Sequence, residues 1–80
     1  MSSNNEKYQT IFQEVFTVTV EDLNDELRYQ SIASWDSVGH MELMSRLEDE
    51  FGINLEMDDV IDFGSYLMGK KILEKYGVII

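Results

Sequence analysis

The sequence predicts an all-α fold, a four-helix bundle with three longer helices, one short helix and a long loop between the first two. Two observations support this class. Apolar residues recur at helical spacing in separate stretches, and no two alternating segments exist that could pair as strands. With 80 residues and no cysteine, the chain is expected to form a single domain over 1–80. Its ordered core is expected from about 6 to 76, after a short flexible N-terminus.

The first helix is predicted from apolar residues at i, i+3, i+4, i+7 and i+8, namely Tyr8, Ile11, Phe12, Val15 and Phe16. The β-branched run at 17–20 is interpreted as the end of this helix and the start of a loop that continues to about Trp35. A loop of that length indicates a function or a crossover between antiparallel helices. Four of its residues are expected to fold it back over the core: Leu23, Leu27, Tyr29 and Ile32.

The second helix is predicted to run from Asp36-Ser37 to Phe51-Gly52, with Asp36 as its N-cap and Gly52 as its C-cap. At about 100° per residue, one arc of this helix faces the core. That arc contains Leu43, Met44, Leu47 and Phe51. Two apolar residues, Val38 and Met41, fall outside it, among the polar residues Glu42, Ser45, Glu48 and Asp49.

This second face allows two interpretations. Scattered apolar residues are normal on protein surfaces, and a charged helix face often serves only solubility. Alternatively the face is a docking surface, where carboxylates steer a basic partner and the apolar pair forms a small desolvated centre.

The C-terminal third predicts two more helices. The stretch 57–63 allows only a short helix, because Gly64-Ser65 interrupts it and Ser65 can cap the next helix. The last helix is predicted over about 66–76, with Gly69 on its packing side, where a glycine permits close helix approach.

The charge restricts the kind of partner. Sixteen acidic residues against six basic ones give a formal net charge of -10. This charge disfavours nucleic acid and anionic membranes as partners, favours basic protein surfaces and makes a monomer the expected state. No apolar run approaches the roughly 20 residues that span a bilayer, and residues 1–5 lack signal-peptide features, so the expected location is cytoplasmic.

Neither catalysis nor metal binding is expected. Asp36, Ser37 and His40 are the residue types of a hydrolytic triad, but triads are assembled from separate parts of a fold around an oxyanion hole and a cleft. A second group of acidic residues lacks the alternating ligands and central glycine of a calcium loop. This group contains Glu56, Asp58, Asp59 and Asp62.

Residues 35–43, Trp-Asp-Ser-Val-Gly-His-Met-Glu-Leu, resemble the Asp-Ser-Leu segment of acyl and peptidyl carrier proteins. Residues 47–53 are similar to the Leu-Glu-x-x-Phe-x-Ile stretch that closes the second helix of that family, and the resemblance covers about 8–76. One departure is Val38, where the family usually has leucine or methionine. The resemblance implies an acyl-carrier-like bundle.

The resemblance also implies a function. A phosphopantetheinyl transferase would attach 4'-phosphopantetheine from coenzyme A to Ser37, with Asp36 as helix cap and transferase-recognition residue. The implied partner face consists of Val38, Met41, Glu42, Ser45, Glu48 and Asp49. The chain would then be a stand-alone, non-catalytic acyl carrier protein, and a phosphoprotein in this modified form. Its partners would include acyl-loading ligases or synthases, and it would deliver its acyl thioesters to partner enzymes of fatty acid, polyketide or other specialised biosynthesis.

Several alternatives stay open at this point. The chain could be an aminoacyl or peptidyl carrier protein, or an unmodified acidic four-helix interaction module. Trp35 is expected to cover the top of the core, or else to contact the arm or its cargo. His40 is expected to be partly buried and hydrogen-bonded at the helix start, with a cargo contact or a pH-sensitive role as the alternative.

Overall fold

A computed structural model describes residues 3–80, which form helices and connecting segments without any strand. The elements in chain order are α1 (Asn4–Phe16), a 3₁₀ turn (Val20–Asp22), α2 (Ser37–Phe51), α3 (Met57–Asp62) and α4 (Tyr66–Glu74). The predicted all-α class is confirmed, as are the long loop between the first two helices and the single short helix. None of these helices within 3–80 combines the length and the apolar character that crossing a bilayer requires.

Side-chain caps set the starts of α1, α2 and α4. The Ser3 hydroxyl accepts the Glu6 N–H at 3.1 Å, so α1 begins earlier than the expected ordered core. Of the expected flexible N-terminus, Met1 and Ser2 lie outside the described residues. Ser65 caps α4 as predicted by accepting the Met68 N–H at 3.0 Å. That helix ends at Glu74, two residues before the predicted end.

The core draws buried side chains from α1, α2, α4, the long loop and the α3–α4 connection. Its largest fully buried members are Trp35, Tyr8, Phe12, Phe63, Ile11, Leu43, Leu47 and Leu73. Two residues predicted for the core, Val15 and Phe51, are only partly buried and pack against its edge. The predicted core stripes of the first two helices are therefore confirmed, with these two residues at the margin.

Helices α1 and α4 approach closely at Gly69. The buried Tyr8 hydroxyl donates a hydrogen bond to the Tyr66 carbonyl at 2.6 Å. Burial raises the pKa of Tyr8 well above its ordinary value, so this phenol stays neutral and donates. A Cβ at Gly69 would lie 2.2 Å from both the Tyr8 hydroxyl oxygen and Phe63 Cζ. The predicted close approach at this glycine is confirmed.

The long loop folds back onto the α3–α4 connection. The Tyr66 N–H donates to the Leu27 carbonyl and the Tyr29 N–H donates to the Gly64 carbonyl, each at 2.9 Å. Leu27 is buried, and Leu23 and Ile32 pack partly buried against the core. Tyr29 differs from its expected place over the core, because its side chain is 37% exposed and its hydroxyl meets a polar partner at the start of α2.

Asp59 fastens α3 to the end of α4. Its buried carboxylate accepts hydrogen bonds from Lys75 Nζ, at 2.6 Å, and from the Tyr76 hydroxyl. The Tyr76 oxygen in turn accepts the Glu56 N–H at 3.0 Å. The hydrogen bond from Lys75, followed by that from Tyr76, lowers the pKa of Asp59 below its ordinary value. The charged form of this carboxylate therefore stabilises the fold.

This arrangement predicts a specific pH dependence of stability. Because the folded pKa of Asp59 is depressed, its contribution is complete above the unfolded pKa of about 3.9 and is lost as pH falls through the folded value. Asp59→Asn should therefore be less stable than the wild type at neutral pH, and the two should converge as the pH falls below about 4. Urea denaturation at a series of pH values measures the difference.

Asp58→Asn is the matched control, since this neighbouring carboxylate is exposed. Its difference from the wild type should stay small at every pH. A wild type and Asp59→Asn variant whose stabilities fall in parallel on acidification would contradict the role given to Asp59.

Candidate functional site

Ser37 is the first residue of α2, and its side chain is exposed. The preceding residue, Asp36, caps the helix: its Oδ1 accepts the Gly39 N–H at 2.8 Å and its carbonyl accepts the His40 N–H at 2.8 Å. This cap satisfies donors that the first turn of a helix leaves free. The Ser37 hydroxyl is thus presented to solvent at the positive end of the dipole of a 15-residue helix.

Trp35 and His40 connect the start of α2 to the core and to α3 through hydrogen bonds. Trp35 is fully buried, and its indole Nε1 donates to His40 Nδ1 at 2.9 Å. Because an indole N–H can only donate, His40 Nδ1 is the acceptor and the ring proton is assigned to Nε2. His40 Nε2 then donates to the Val60 carbonyl in α3 at 2.8 Å. Both structural expectations are confirmed: Trp35 covers the core, and His40 is partly buried and hydrogen-bonded.

Gly39 allows the end of the long loop to touch the first turn of α2. A Cβ at this position would lie 2.0 Å from the Ser34 carbonyl oxygen and 3.3 Å from a ring carbon of Phe16. The Ser34 hydroxyl donates to the Phe16 carbonyl at 3.1 Å, so α1, the loop and α2 meet here. Sequence reasoning did not assign this role, although a glycine in the first turn of a helix was a signal for it.

Tyr29 is a further residue whose place at the site the sequence did not predict. Its hydroxyl oxygen lies 3.0 Å from Ser37 Oγ, and either hydroxyl can be the donor. Its ring stands edge-on to the His40 ring, with 5.4 Å between the centroids. No local pattern indicated this contact, because it depends on how the loop crosses the head of α2.

The polar face of α2 is open to solvent. Val38 is 76% exposed and Met41 is 58% exposed, as the helical spacing predicted. The other exposed members of the predicted partner face are Glu42, Ser45 and Asp49. Glu48 is half-buried, and its Oε2 accepts the Leu55 N–H at 2.8 Å, so this carboxylate also holds the connection between α2 and α3. Partner binding by these six residues stays a prediction.

A cleft of about 460 Å³ lies beside this face, between α2 and α3. It is lined by Met41, Met44, Ser45, Glu48, Leu55, Met57 and Val60. Met57 is 72% exposed and was not assigned to the face from the sequence. Met57 on α3 lines the same cleft as Met41 on α2, so exposed apolar residues of both helices border it.

A comparison with known protein families identifies the family of this chain. A model described as a phosphopantetheine attachment site matches residues 8–66, which include the whole of α2 with its cap. The chain belongs to this family of phosphopantetheine-binding carrier domains. The family carries a 4'-phosphopantetheine prosthetic group, and the resemblance seen in the sequence is confirmed. Searches among curated proteins and among solved structures found no match.

The head of α2 in this carrier domain fits such a group. Ser37 offers an exposed hydroxyl that can be esterified, and the free N–H groups and dipole of a helix start favour an anionic phosphate. The Tyr29 hydroxyl is a further hydrogen-bond donor at the same place. When bound, phosphopantetheine supplies a terminal thiol that can hold an acyl group as a thioester.

The packing at Gly39 leads to a prediction for the carrier domain. Gly39→Ala should lower the free energy of unfolding, because the new methyl group collides with a backbone carbonyl and such overpacking costs about 1–3 kcal/mol. This loss should exceed the gain of about 1 kcal/mol in helix propensity. Thermal and urea denaturation measure the change. Gly64→Ala is the control, since a Cβ there would lie 3.7 Å from its nearest neighbour, a backbone oxygen. Equal stability of the two variants would contradict the prediction.

Proposed function

We propose that this chain is an acyl carrier protein in which Ser37 bears the phosphopantetheine arm. It delivers acyl thioesters to partner enzymes of fatty acid, polyketide or other specialised biosynthesis. The observation that carries the proposal is the exposed Ser37 hydroxyl at the capped head of α2, inside the range matched by the carrier family. Of the residues around it, Trp35, Gly39 and His40 are buried or partly buried and support the helix start.

Attachment is a phosphoryl-group transfer that a phosphopantetheinyl transferase performs with coenzyme A. Ser37 Oγ forms a bond to the phosphorus that bears pantetheine, while the bond from that phosphorus to the adenosine-side phosphate breaks. The serine proton passes to a base of the transferase, and the adenosine bisphosphate leaves. Asp36 holds the first turn through Gly39, and its exposed carboxylate is available to basic groups of the transferase.

The local geometry supports a carrier over a hydrolase. Both ring nitrogens of His40 are occupied, one by the Trp35 indole and the other by the Val60 carbonyl. His40 therefore has no free nitrogen to take a proton from Ser37, as a catalytic triad requires. The acyl chemistry accordingly belongs to the partner enzymes, which load and use the thioester.

The partner face is proposed to consist of Val38, Met41, Glu42, Ser45, Glu48 and Asp49. Its support is physical: the two apolar side chains stand exposed in an acidic field, on a protein with a net charge of -10. Carboxylates raise the encounter rate with a basic surface, and burial of the apolar pair gives the complex a desolvated centre. Acyl-loading ligases and synthases with a basic docking surface fit this face, as does the transferase.

Two other functions share parts of this description. An aminoacyl or peptidyl carrier protein would use the same arm on Ser37, and it differs only in the cargo. The intact mass of the protein purified from its native host distinguishes the two, because the trapped thioester adds its own mass. An unmodified interaction module would use the acidic face without any arm.

The first prediction of this proposal concerns modification. Incubation with coenzyme A and a promiscuous phosphopantetheinyl transferase should raise the intact mass of the wild type by one phosphopantetheine. Ser37→Ala should show no increase, because it lacks the hydroxyl that is esterified. Ser3→Ala, which removes an exposed serine outside the partner face, should gain the same mass as the wild type. A wild type that stays unmodified with several transferases, or a Ser37→Ala variant that still gains the mass, would refute the attachment site.

The second prediction concerns the partner face. The double substitution Glu42→Lys with Asp49→Lys should lower kcat/KM for modification by a transferase with a basic docking surface, roughly tenfold at low ionic strength. Added salt should reduce this difference, because it screens exposed charges. Stopped reactions analysed by mass give the rates.

The matched control is Glu21→Lys with Glu74→Lys, which makes the same charge change at exposed residues outside α2. If both double variants slowed modification equally, only the net charge would matter, and the proposed face would be wrong.

A further inference from the structure

We propose that the Tyr29 hydroxyl binds the phosphate of the arm, so that the long loop holds the first segment of the arm at the head of α2. The inference rests on the attachment at Ser37 proposed above, and it assigns to the loop a binding role that the family match does not supply. Tyr29 would be a positioning residue: it takes no part in the transfer and fixes the group that results from it.

The contact between the two hydroxyls is the starting point. Tyr29 Oη lies 3.0 Å from Ser37 Oγ, and Ser37 is exposed, so there is open space in front of this pair. After esterification Ser37 Oγ has no proton to donate, and it is bonded to a phosphorus whose charged oxygens lie two bonds from Oγ. A phenol O–H is a donor, and hydrogen bonds to a charged acceptor are stronger than those between neutral groups. The Tyr29 hydroxyl therefore lies close to the position that the phosphate oxygens would occupy.

Tyr29 is also held firmly enough to act as a fixed donor. Its backbone N–H donates to the Gly64 carbonyl at 2.9 Å, and the neighbouring Arg28 forms an isolated β-bridge with Ser65. Its ring rests edge-on against His40, and both nitrogens of that ring are hydrogen-bonded in turn. Little side-chain freedom is therefore lost when the phosphate binds, which makes such a contact more favourable than one from a free surface residue.

The negative charge of the surroundings makes a hydrogen-bond donor beside the phosphate favourable. The protein has a net charge of -10, and the phosphate would add a further negative charge next to the Asp36 carboxylate. The Asp36 carboxylate is turned into the helix cap through the Gly39 N–H. The Tyr29 O–H thus supplies a hydrogen-bond donor beside Ser37, in addition to the first-turn N–H groups of α2.

The experiment compares the holo forms of the wild type and Tyr29→Phe, which keeps the ring and removes only the hydroxyl. The ³¹P resonance of the phosphodiester should shift between the two proteins. Tyr29→Phe should also destabilise the holo form more than the apo form, by about threefold in the folding equilibrium constant, as expected for one partly exposed hydrogen bond. Urea denaturation of the four species gives this difference as a double-mutant cycle.

Tyr76→Phe is the matched control, because it removes a tyrosine hydroxyl that bonds Asp59 and not Ser37. Its holo form should keep the wild-type ³¹P resonance. Identical ³¹P resonances in the wild type and Tyr29→Phe, or an equal effect of the substitution on apo and holo stability, would overturn the role of Tyr29. A wild type that accepts no phosphopantetheine would instead refute the attachment at Ser37, so the two failures are distinguishable.

Discussion

The hydrogen bond from the buried Trp35 indole to His40 is the interaction on which the site depends. Trp35 packs edge-on to Phe12 and stacks on Phe16 of α1, so its ring is enclosed by the core. A buried N–H without an acceptor costs about 1–3 kcal/mol, and His40 Nδ1 is the acceptor at hand. Since the other nitrogen of His40 reaches Val60, one chain of contacts connects α1, α2 and α3.

Near the start of α2, a residue that supports the helix and the exposed residue proposed to carry the arm lie only two positions apart. Trp35 is fully buried, whereas Ser37, two positions later, is exposed. The Asp36 cap turns the backbone between them from loop to helix. A carrier needs this combination, because the attachment point must be reachable by several enzymes while the helix below keeps its position. The long loop contributes to the core through the buried Leu27 and to the site through Tyr29, which lies beside Ser37.

Helix α2 has two faces of different character. Leu43 and Leu47 fix one face in the core, and the other presents carboxylates around an apolar pair. Exposed charges contribute little to stability, yet they steer diffusional encounters and respond to ionic strength. Under the proposed function, a chain of 80 residues serves several partners in succession without enclosing any of them. Glu48, a member of the proposed partner face, also holds the connection between α2 and α3, because its carboxylate accepts the Leu55 N–H.

The sequence by itself determined the helices, the caps at Asp36 and Ser65, the core arc of α2 and the exposure of Val38 and Met41. These features arise from residue spacing along one helix and from contacts three or four positions apart. Only the tertiary structure decided that Tyr29 meets Ser37, that His40 reaches Val60 and that Asp59 joins Lys75. These contacts join residues 8 to 20 positions apart, and their geometry depends on how loop and helices pack, which no local periodicity encodes.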